Sequence, residues 1–241
     1  MDLIKRCIDI FYAVTMNLLI PGAGFIFIKK INTAIIFQFS LVSLIFCLCI
    51  SRLVFDATIL KLFFILAASV HIISCFILIF YFVSKPFIAR ARDYFKTFLF
   101  AALCFFCLLS SFILKDKIFG VHLYFVPSMS MSPALIPGDF ILIDTWAYKQ
   151  DKPKTNDIII FTSEAHEGIL VKRIQPWPEA VTKEGYYVLG DNRNDSVDSR
   201  RFGGIKLEQI RGKVKLVLIS IEPNFYLRNQ RTLIAPRPFE D

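Results

Sequence analysis

The hydrophobic pattern divides the chain at about residue 114. Before that point lie long apolar runs, and three of them, residues 33–51, 57–83 and 97–114, reach or approach the length that spans a bilayer. A spanning helix needs about 20 apolar residues, whereas a helix buried in a soluble core is usually shorter. The pattern therefore predicts a multi-spanning membrane region of three or four helices over residues 1–114.

A further apolar stretch, residues 7–28, has two interpretations. The Pro-Gly-Ala-Gly segment at 21–24 interrupts it, and proline and glycine break a helix unless neighbouring groups satisfy the freed backbone. The stretch is either a full spanning helix or a broken, partly re-entrant one. It does not resemble a cleaved signal peptide, because its apolar run is long and the next run follows at once.

Basic residues beside the apolar runs predict the orientation. The segment between the last two runs carries four basic residues and one acidic residue, and cytoplasmic loops are enriched in Lys and Arg. That loop is therefore predicted to be cytoplasmic, and residues 115–241 are predicted to lie outside the cytoplasm. The side of the N-terminus stays open, because Lys5 and Arg6 favour the inside whereas a fourth full span would place it outside.

Composition narrows the classes of function. The formal net charge is +8, but residues 1–114 hold ten Lys and Arg against four Asp and Glu, whereas residues 115–241 hold eighteen against sixteen. The basic excess flanks the apolar runs as an orientation signal, so the charge does not indicate a nucleic-acid partner. All six cysteines lie in apolar runs without metal-ligand spacing, so no metal is predicted.

Residues 115–241 show a β-strand pattern. Six short runs are rich in Val, Ile, Phe and Tyr and are bounded by turn residues: 121–126, 140–145, 157–162, 168–174, 186–189 and 213–220. Closely spaced strands with such turns predict a mostly antiparallel sandwich or barrel. The polar tail from residue 223 is predicted to be loosely held.

One serine-rich segment in this half lies between prolines. It reads Pro-Ser-Met-Ser-Met-Ser-Pro over residues 127–133. A serine hydroxyl becomes a useful nucleophile beside a general base, which is usually histidine. Both histidines of this half are poor candidates, because His122 lies near the last span without a suitably placed acid and His166 lies in a polar loop. A lysine base must therefore be considered.

Lys172 is a candidate for that role. On a strand it shares a face with Leu170 and Ile174, and burial among apolar groups lowers the pKa of a lysine by disfavouring its ammonium. The alternative is a lysine with a buried stem and a solvated head. The segment 190–203, dense in Asp, Asn, Ser and Arg, is either a rigid hydrogen-bonded support for such a site or an ordinary polar turn.

Together these motifs resemble those of the bacterial type I signal peptidases. Residues 127–133 resemble the family's Ser-x-Ser-Met-x-Pro segment, and residues 137–143 resemble the Gly-Asp strand that follows it. Lys172-Arg173 matches the family's Lys-Arg pair, and residues 190–203 match its Gly-Asp-Asn-Arg…Ser-x-Asp-Ser-Arg…Gly motif. The resemblance implies a helical transmembrane region followed by a mostly antiparallel β catalytic domain of signal-peptidase type.

The resemblance covers residues 120–215 and implies an activity. It implies a serine endopeptidase of the bacterial inner (cytoplasmic) membrane that cleaves signal peptides from exported preproteins without a cofactor. Residues 1–114 would form the membrane region, and residues 115–241 the catalytic domain on the periplasmic side. The expected partners are signal peptides and the lipid bilayer, and the sequence does not indicate the oligomeric state.

The family's catalytic roles fall on matching positions. Ser130 would be the nucleophile, and Lys172 the general base that later protonates the leaving amine. The Ser130 backbone N–H and the Ser128 hydroxyl would form the oxyanion hole. Ser196 would hydrogen-bond the Lys172 amine and orient it. Three residues are expected to support the site: Ser196, Asp198 and Arg200.

The substrate pocket is expected to be shallow and apolar, because the family accepts small residues at the first and third positions before the cut. Four residues are candidates to line it, with ordinary core positions as the alternative: Tyr124, Val126, Leu135 and Val171. An extended substrate is expected to add a strand beside residues 124–128. One segment departs from the family, since residues 175–179 read Gln-Pro-Trp-Pro-Glu in place of a Gly-x-Pro-Gly-Asp turn.

Two alternatives to a general signal peptidase stay open. One is a dedicated peptidase of the same chemistry, such as one that matures a conjugative pilin. The other is a non-catalytic membrane scaffold that carries a β domain. The joint presence of Ser128, Ser130, Lys172 and Ser196 argues against the scaffold.

Overall fold

The chain divides into two compact units in a computed structural model. The structure describes residues 2–85, 87, 89–163, 168–179 and 184–236. The first unit comprises residues 1–54 and 59–114, and the second comprises residues 55–58 and 115–241. The first is helical, and the second is built around a β-sheet.

Apolar helices make up the described part of the first unit. They are α1, Asp2–Leu19; α2, Ala23–Phe27; α3, Ile31–Ile50; α4, Ala57–Ser84; and α5, Ala91–Ile113. By length and composition α3, α4 and α5 can each cross a bilayer, and only 11% of the apolar stretch of each is buried inside the protein. Outward-facing apolar side chains over such lengths are typical of helices in lipid, which indicates a membrane protein.

The further apolar stretch is broken rather than continuous. α1 ends at Leu19, and a turn in which Gly22 has φ +94° precedes α2. A Cβ at Gly22 would lie 2.6 Å from the Ala34 carbonyl oxygen, so space and backbone conformation both exclude a side chain. The Asn17 side chain accepts a hydrogen bond from Gly22 N–H at 2.9 Å and donates one to Ser74 Oγ at 2.8 Å. The broken backbone is thus satisfied inside the unit.

The second unit begins with a short helix, α6, Lys115–Phe119, and continues as one antiparallel sheet. Its strands are β1, Val121–Phe125; β2, Asp139–Asp144; β3, Ile158–Ser163; β4, Gly168–Ile174; β5, Val188–Leu189; and β6, Ile210–Ser220. Their order across the sheet is β1-β2-β6-β3-β4-β5. The predicted fold class, apolar helices followed by a mostly antiparallel β domain, is confirmed.

Apolar packing covers both faces of this sheet. Ile158 and Ile160 of β3 belong to one buried cluster, whereas Ile159 and Phe161 belong to another. Successive side chains on a strand point to opposite faces, so the two clusters lie on opposite sides. The strands thus form a single sheet packed on both faces.

Two connections carry the sequence motifs. Residues 126–138 join β1 to β2, and a backbone hydrogen bond from Val126 N to Asp139 O, at 2.8 Å, closes this serine loop. Residues 190–209 join β5 to β6 and contain a short helix, α7, Ser199–Phe202. We call residues 190–203 the support segment.

Candidate active site

The serine loop and the lysine strand meet in the structure. Ser130 is half-buried, and its neighbour Met131 is anchored in the same apolar cluster as Leu135. Lys172 lies on β4 and is 3% exposed. Its Nζ is 2.8 Å from Ser130 Oγ, within hydrogen-bonding distance. An anchored loop and a sheet strand therefore hold the amine and the hydroxyl together.

Burial controls the protonation of Lys172. It lowers the pKa of the Lys172 amine below its ordinary value, and the carboxylates of Asp198, Asp191 and Asp195 oppose that shift without reversing it. Among the described residues, the amine forms no ion pair with any of these carboxylates. A neutral lysine amine accepts a proton, so it can act as a general base toward the Ser130 hydroxyl.

Two hydrogen-bond donors lie next to the Ser130 hydroxyl. The exposed Ser128 places its Oγ 3.3 Å from Ser130 Oγ. The Ser130 backbone N–H makes no hydrogen bond within the described part of the chain. Both groups are therefore available to an oxygen that develops negative charge beside Ser130, as an oxyanion hole requires.

The support segment packs against the serine loop at Gly190. A Cβ at this position would lie 2.5 Å from Ser130 O and 2.2 Å from Ser196 Oγ, so only glycine leaves enough room. Asn192 N–H also donates a hydrogen bond to Ser130 O at 3.1 Å. The close approach of these backbones fixes the position of Ser130 relative to the support segment.

Asp198 holds the support segment together. Its fully buried carboxylate accepts hydrogen bonds from Gly190 N–H at 3.0 Å and from Arg200 Nε at 2.8 Å. Burial alone would raise the pKa of Asp198, but the hydrogen bonds from Arg200 and Gly190 outweigh burial and lower it. The next residue, Ser199, accepts a hydrogen bond from Val188 N–H at 2.8 Å and ties the segment to β5. The carboxylate is thus an ionised structural centre.

Ser196 departs from the sequence prediction. Its hydroxyl is buried and does not hydrogen-bond the Lys172 amine among the described residues, and its interaction with Asp198 instead helps to lower the pKa of that carboxyl. The amine is directed at Ser130 instead, while the Ser196 side chain packs against the backbone of Gly190. Ser196 therefore contacts the site through packing.

The four candidate pocket residues divide into two pairs. Val126 and Leu135 are buried in the apolar cluster on one face of the sheet, the core alternative that the sequence left open. Tyr124 and Val171 pack against the same cluster but stay partly exposed. Tyr124 and Val171 thus offer surface that a peptide can reach.

A buried ion pair beside Lys172 escaped the sequence interpretation. Arg173 donates hydrogen bonds to the Asp191 carboxylate from Nε at 2.9 Å and from Nη2 at 2.7 Å, and both side chains are almost inaccessible. The pair fastens β4 to the support segment. Both residues were part of the recognised motifs, but residues eighteen positions apart give no local signal of pairing.

A second buried pair was missed because it involves the tail. Arg231 is 9% exposed, and its Nη2 donates to Asp139 Oδ2 at 2.7 Å. The same guanidinium donates to Ala134 O at 3.1 Å and to Pro133 O at 3.4 Å. It thus links the serine loop to the start of β2. The prediction of a loosely held tail is wrong at Arg231, because residues distant in sequence bury it.

The segment that departs from the family pattern is held by an aromatic contact. The ring centroids of Trp177 and Tyr187 are 4.9 Å apart, and Trp177 Nε1 donates a hydrogen bond to Gly185 O at 3.1 Å. Tyr187 lies directly before β5. The substituted turn is therefore packed onto the edge of the sheet near the support segment.

His122 does not hydrogen-bond the Ser130 hydroxyl among the described residues. His122 Nδ1 is 3.9 Å from Asp116 Oδ2, and burial together with the nearby Lys115 lowers the pKa of His122. His166 lies outside the described residues. Among the described residues, Lys172 is the basic group hydrogen-bonded to the Ser130 hydroxyl.

Three curated proteins are similar to parts of this chain. Signal peptidase I of Buchnera aphidicola subsp. Baizongia pistaciae is 33% identical over 78 residues, 32% of this chain and 25% of that protein. Thylakoidal processing peptidase 1 of Arabidopsis thaliana is 27% identical over 132 residues, 36% of this chain and 39% of that protein. Signal peptidase I of Leptolyngbya laminosa is 25% identical over 138 residues, 40% of this chain and 68% of that protein. The chain thus spans less than half the length of the first two relatives.

A protein family model extends this similarity across all three sequence motifs. The family described as signal peptidase, peptidase S26, matches residues 91–178 and 174–219, just over half of the chain's 241 residues. The match includes the serine loop, the lysine strand and the support segment. Because the family model covers the larger part of the chain and all three motifs, the chain belongs to the signal peptidase family, peptidase S26.

Proposed function

We propose that this protein is a membrane-bound serine endopeptidase that removes signal peptides from exported preproteins through a Ser130–Lys172 dyad. The observation that carries the proposal is the 2.8 Å distance between Lys172 Nζ and Ser130 Oγ, combined with 3% exposure of the lysine. Family membership supports peptidase chemistry. The desolvated amine provides the base that a serine nucleophile requires.

The proposed reaction follows serine acyl transfer. Neutral Lys172 takes the proton from Ser130 Oγ as that oxygen attacks the scissile carbonyl carbon. The carbonyl oxygen becomes an oxyanion, to which Ser130 N–H and Ser128 Oγ–H donate hydrogen bonds. The Lys172 ammonium then protonates the leaving amine as the C–N bond breaks. Lys172, neutral again, deprotonates the water that attacks the acyl carbon, and it returns that proton to Ser130 Oγ as the ester C–O bond breaks and the cleaved peptide leaves as a carboxylic acid.

The sheet offers an edge for an extended substrate. β1 is an edge strand of the described sheet, and it leads directly into the loop that carries Ser130. On the other side, β5 pairs with only Arg173 and Ile174 of β4, so β4 beside Lys172 lacks a strand partner there among the described residues. A peptide added at such an edge makes backbone hydrogen bonds, and small side chains suit its approach to Tyr124 and Val171.

The proposed location is the bacterial inner membrane, with the catalytic unit on the extracytoplasmic side. Three helices of spanning length support membrane insertion. The basic loop before α5 supports a cytoplasmic position for that loop, which sends the chain outward through α5. Two single-cysteine substitutions, Lys206→Cys and Arg92→Cys, test this orientation. Each variant is treated in intact cells with a thiol reagent that does not cross the membrane. The proposal predicts labelling at Lys206→Cys but not at Arg92→Cys.

A cleavage assay with matched serine variants tests the activity. Purified full chain in detergent should cut a model preprotein, Ser130→Ala should abolish the cut, and Ser132→Ala should retain it. Ser132 is the matched control because it lies in the same loop, two positions from Ser130. Cleavage by Ser130→Ala at the wild-type rate would refute the proposal.

The range of substrates needs a separate experiment. Rescue of a cell depleted of its general signal peptidase is expected if the enzyme processes many preproteins. Failure of rescue by a protein that still cuts a model preprotein would instead identify a dedicated peptidase, such as one that matures a pilin. A chain without turnover under any condition would be a membrane scaffold.

A further inference from the structure

A lysine-rich cavity lies on the catalytic unit, outside the groups assigned to catalysis. Its volume is about 390 Å³, within the usual range of ligand sites of about 300–1,000 Å³. The residues between β2 and β3 form much of its wall, and the last residue of β2 and two residues of β6 contribute the rest. Five lysines line it: Lys149, Lys152, Lys154, Lys213 and Lys215.

The cavity's carboxylates are largely engaged by the protein itself. Asp157 accepts hydrogen bonds from Lys213 Nζ at 2.5 Å and from Tyr148 Oη at 2.8 Å. Asp144 accepts a hydrogen bond from Trp146 N–H at 2.9 Å. The third carboxylate of the lining, Asp151, is exposed.

The remaining lysines keep their positive charge available. Lys149, Lys152, Lys154 and Lys215 form no ion pair within the described part of the chain. Lys149 Nζ lies 4.1 Å from the centroid of the Trp146 ring. The cavity therefore combines an excess of ammonium groups with an aromatic ring, a lining that suits an anion attached to an amphipathic molecule.

The tryptophan of this cavity packs on backbone that follows the last apolar helix closely along the chain. The chain leaves its last apolar helix at Ile113 and reaches Gly120 seven residues later. A Cβ at Gly120 would lie 2.5 Å from Trp146 Cγ, so the tryptophan packs directly on that backbone. Tryptophan and lysine together are typical of membrane interfaces.

We propose that this cavity binds the phosphodiester headgroup of an anionic phospholipid in the adjacent leaflet. The ammonium groups of Lys152, Lys154 and Lys215 supply the complementary charge, and the Trp146–Lys149 pair lies at the interfacial level. Bound lipid would tether the catalytic unit to the membrane surface where signal peptides emerge. The site is independent of the Ser130–Lys172 chemistry, so the two proposals stand or fall separately.

Fluorescence of Trp146 provides a local test. The chain contains two tryptophans, so Trp177→Phe leaves Trp146 as the reporter. The full chain with this change is placed in nanodiscs of phosphatidylcholine that contain rising fractions of phosphatidylglycerol with acyl chains brominated near the headgroup. Equally brominated phosphatidylcholine is the lipid control. We expect brominated phosphatidylglycerol to quench Trp146 at a mole fraction on the order of tenfold lower than brominated phosphatidylcholine.

Charge-matched variants decide whether the lysines cause the preference. Lys152→Ala with Lys154→Ala removes two positive charges from the cavity, and Lys206→Glu changes the net charge equally at an exposed site outside the cavity lining. The preference should disappear in the double variant and persist in Lys206→Glu. Equal quenching by the two lipids in the parent, or equal losses in both variants, would overturn the proposal. A saturable response of Trp146 to inorganic phosphate without any lipid preference would overturn the lipid assignment in favour of a free anion.

Discussion

Lys172 and Arg173 are neighbours on β4 and are equally buried, yet their electrostatic surroundings differ. Arg173 lies against the Asp191 carboxylate and donates two short hydrogen bonds to it. Lys172 lies against the neutral hydroxyl of Ser130 and has no ion-pair partner among the described residues. The Asp191 carboxylate therefore offsets the free-energy cost of burying the Arg173 charge. At Lys172 that cost destabilises the protonated amine.

This difference shows how one strand supports both structure and proposed chemistry. A guanidinium stays protonated when buried, and its planar group suits a carboxylate, so Arg173 is a permanent structural cation. A lysine amine gives up its proton when it is desolvated without a counter-ion, so Lys172 is suited to be a base. Loss of the Lys172 amine should therefore impair catalysis, whereas loss of the Arg173 guanidinium should impair stability.

The largest expected effect is on activity, in Lys172→Met. Methionine keeps an apolar stem of similar length but has no base, so kcat/KM for preprotein cleavage should fall by about 10⁴, the upper end of what a positioned base contributes. Stability should be unchanged or higher, because a buried polar group is removed. Parallel cleavage and thermal-unfolding measurements check both parts, and a variant that is inactive only because it is unfolded would speak against a catalytic lysine.

A loss of stability is expected in Arg173→Met. This change leaves the buried Asp191 without its counter-ion, and breaking such a pair typically destabilises by about 3–5 kcal/mol. The double variant Arg173→Met with Asp191→Leu should recover much of that loss, because no charge is left unpaired. Denaturant unfolding of the full chain in detergent gives the comparison. Equal stability of the single variant and the wild type would contradict a structural role for the pair.

A smaller effect on rate is expected in Ser128→Ala. Removal of one oxyanion donor should raise the barrier by about 2.7–4 kcal/mol, seen as a lower kcat with little change in KM. Ser132→Ala in the same loop is the control and should keep a rate close to that of the wild type. A change confined to KM would assign Ser128 to substrate binding instead.

The mildest perturbation is a change of pH. Burial lowers the pKa of Lys172, and the neutral form is the proposed base, so kcat/KM should rise with pH until the amine is deprotonated and then level off. Below that pKa the slope should be about tenfold per pH unit. Initial rates over a pH series measure the curve, and a rate independent of pH between about 5 and 9 would argue against a lysine base.

The sequence predicted what depends on local pattern and on motifs. Apolar runs alone predicted α3, α4 and α5, because spanning length is a property of the local sequence. Motif resemblance selected Ser130 and Lys172, which the fold brings together although they are 42 positions apart. Neither signal reports which polar groups pair after folding.

The missed features all depend on long-range packing. Arg231 reaches Asp139 across 92 positions, so nothing in the tail's own sequence showed that it would be buried. The position of the Ser196 hydroxyl depends on how closely Gly190 approaches Ser196 and Ser130, and only the folded backbone defines that approach. Such pairings follow from the tertiary arrangement of strands and loops rather than from propensity.

The central claim is that burial lowers the pKa of the Lys172 amine below its ordinary value, and this pKa can be measured directly. In the full chain labelled with ¹³C at lysine Cε, the resonance that disappears in Lys172→Met belongs to this residue. The account predicts that this resonance titrates below the ordinary lysine pKa of about 10.4. Titration of the Lys172 resonance at or above that ordinary value would contradict the account.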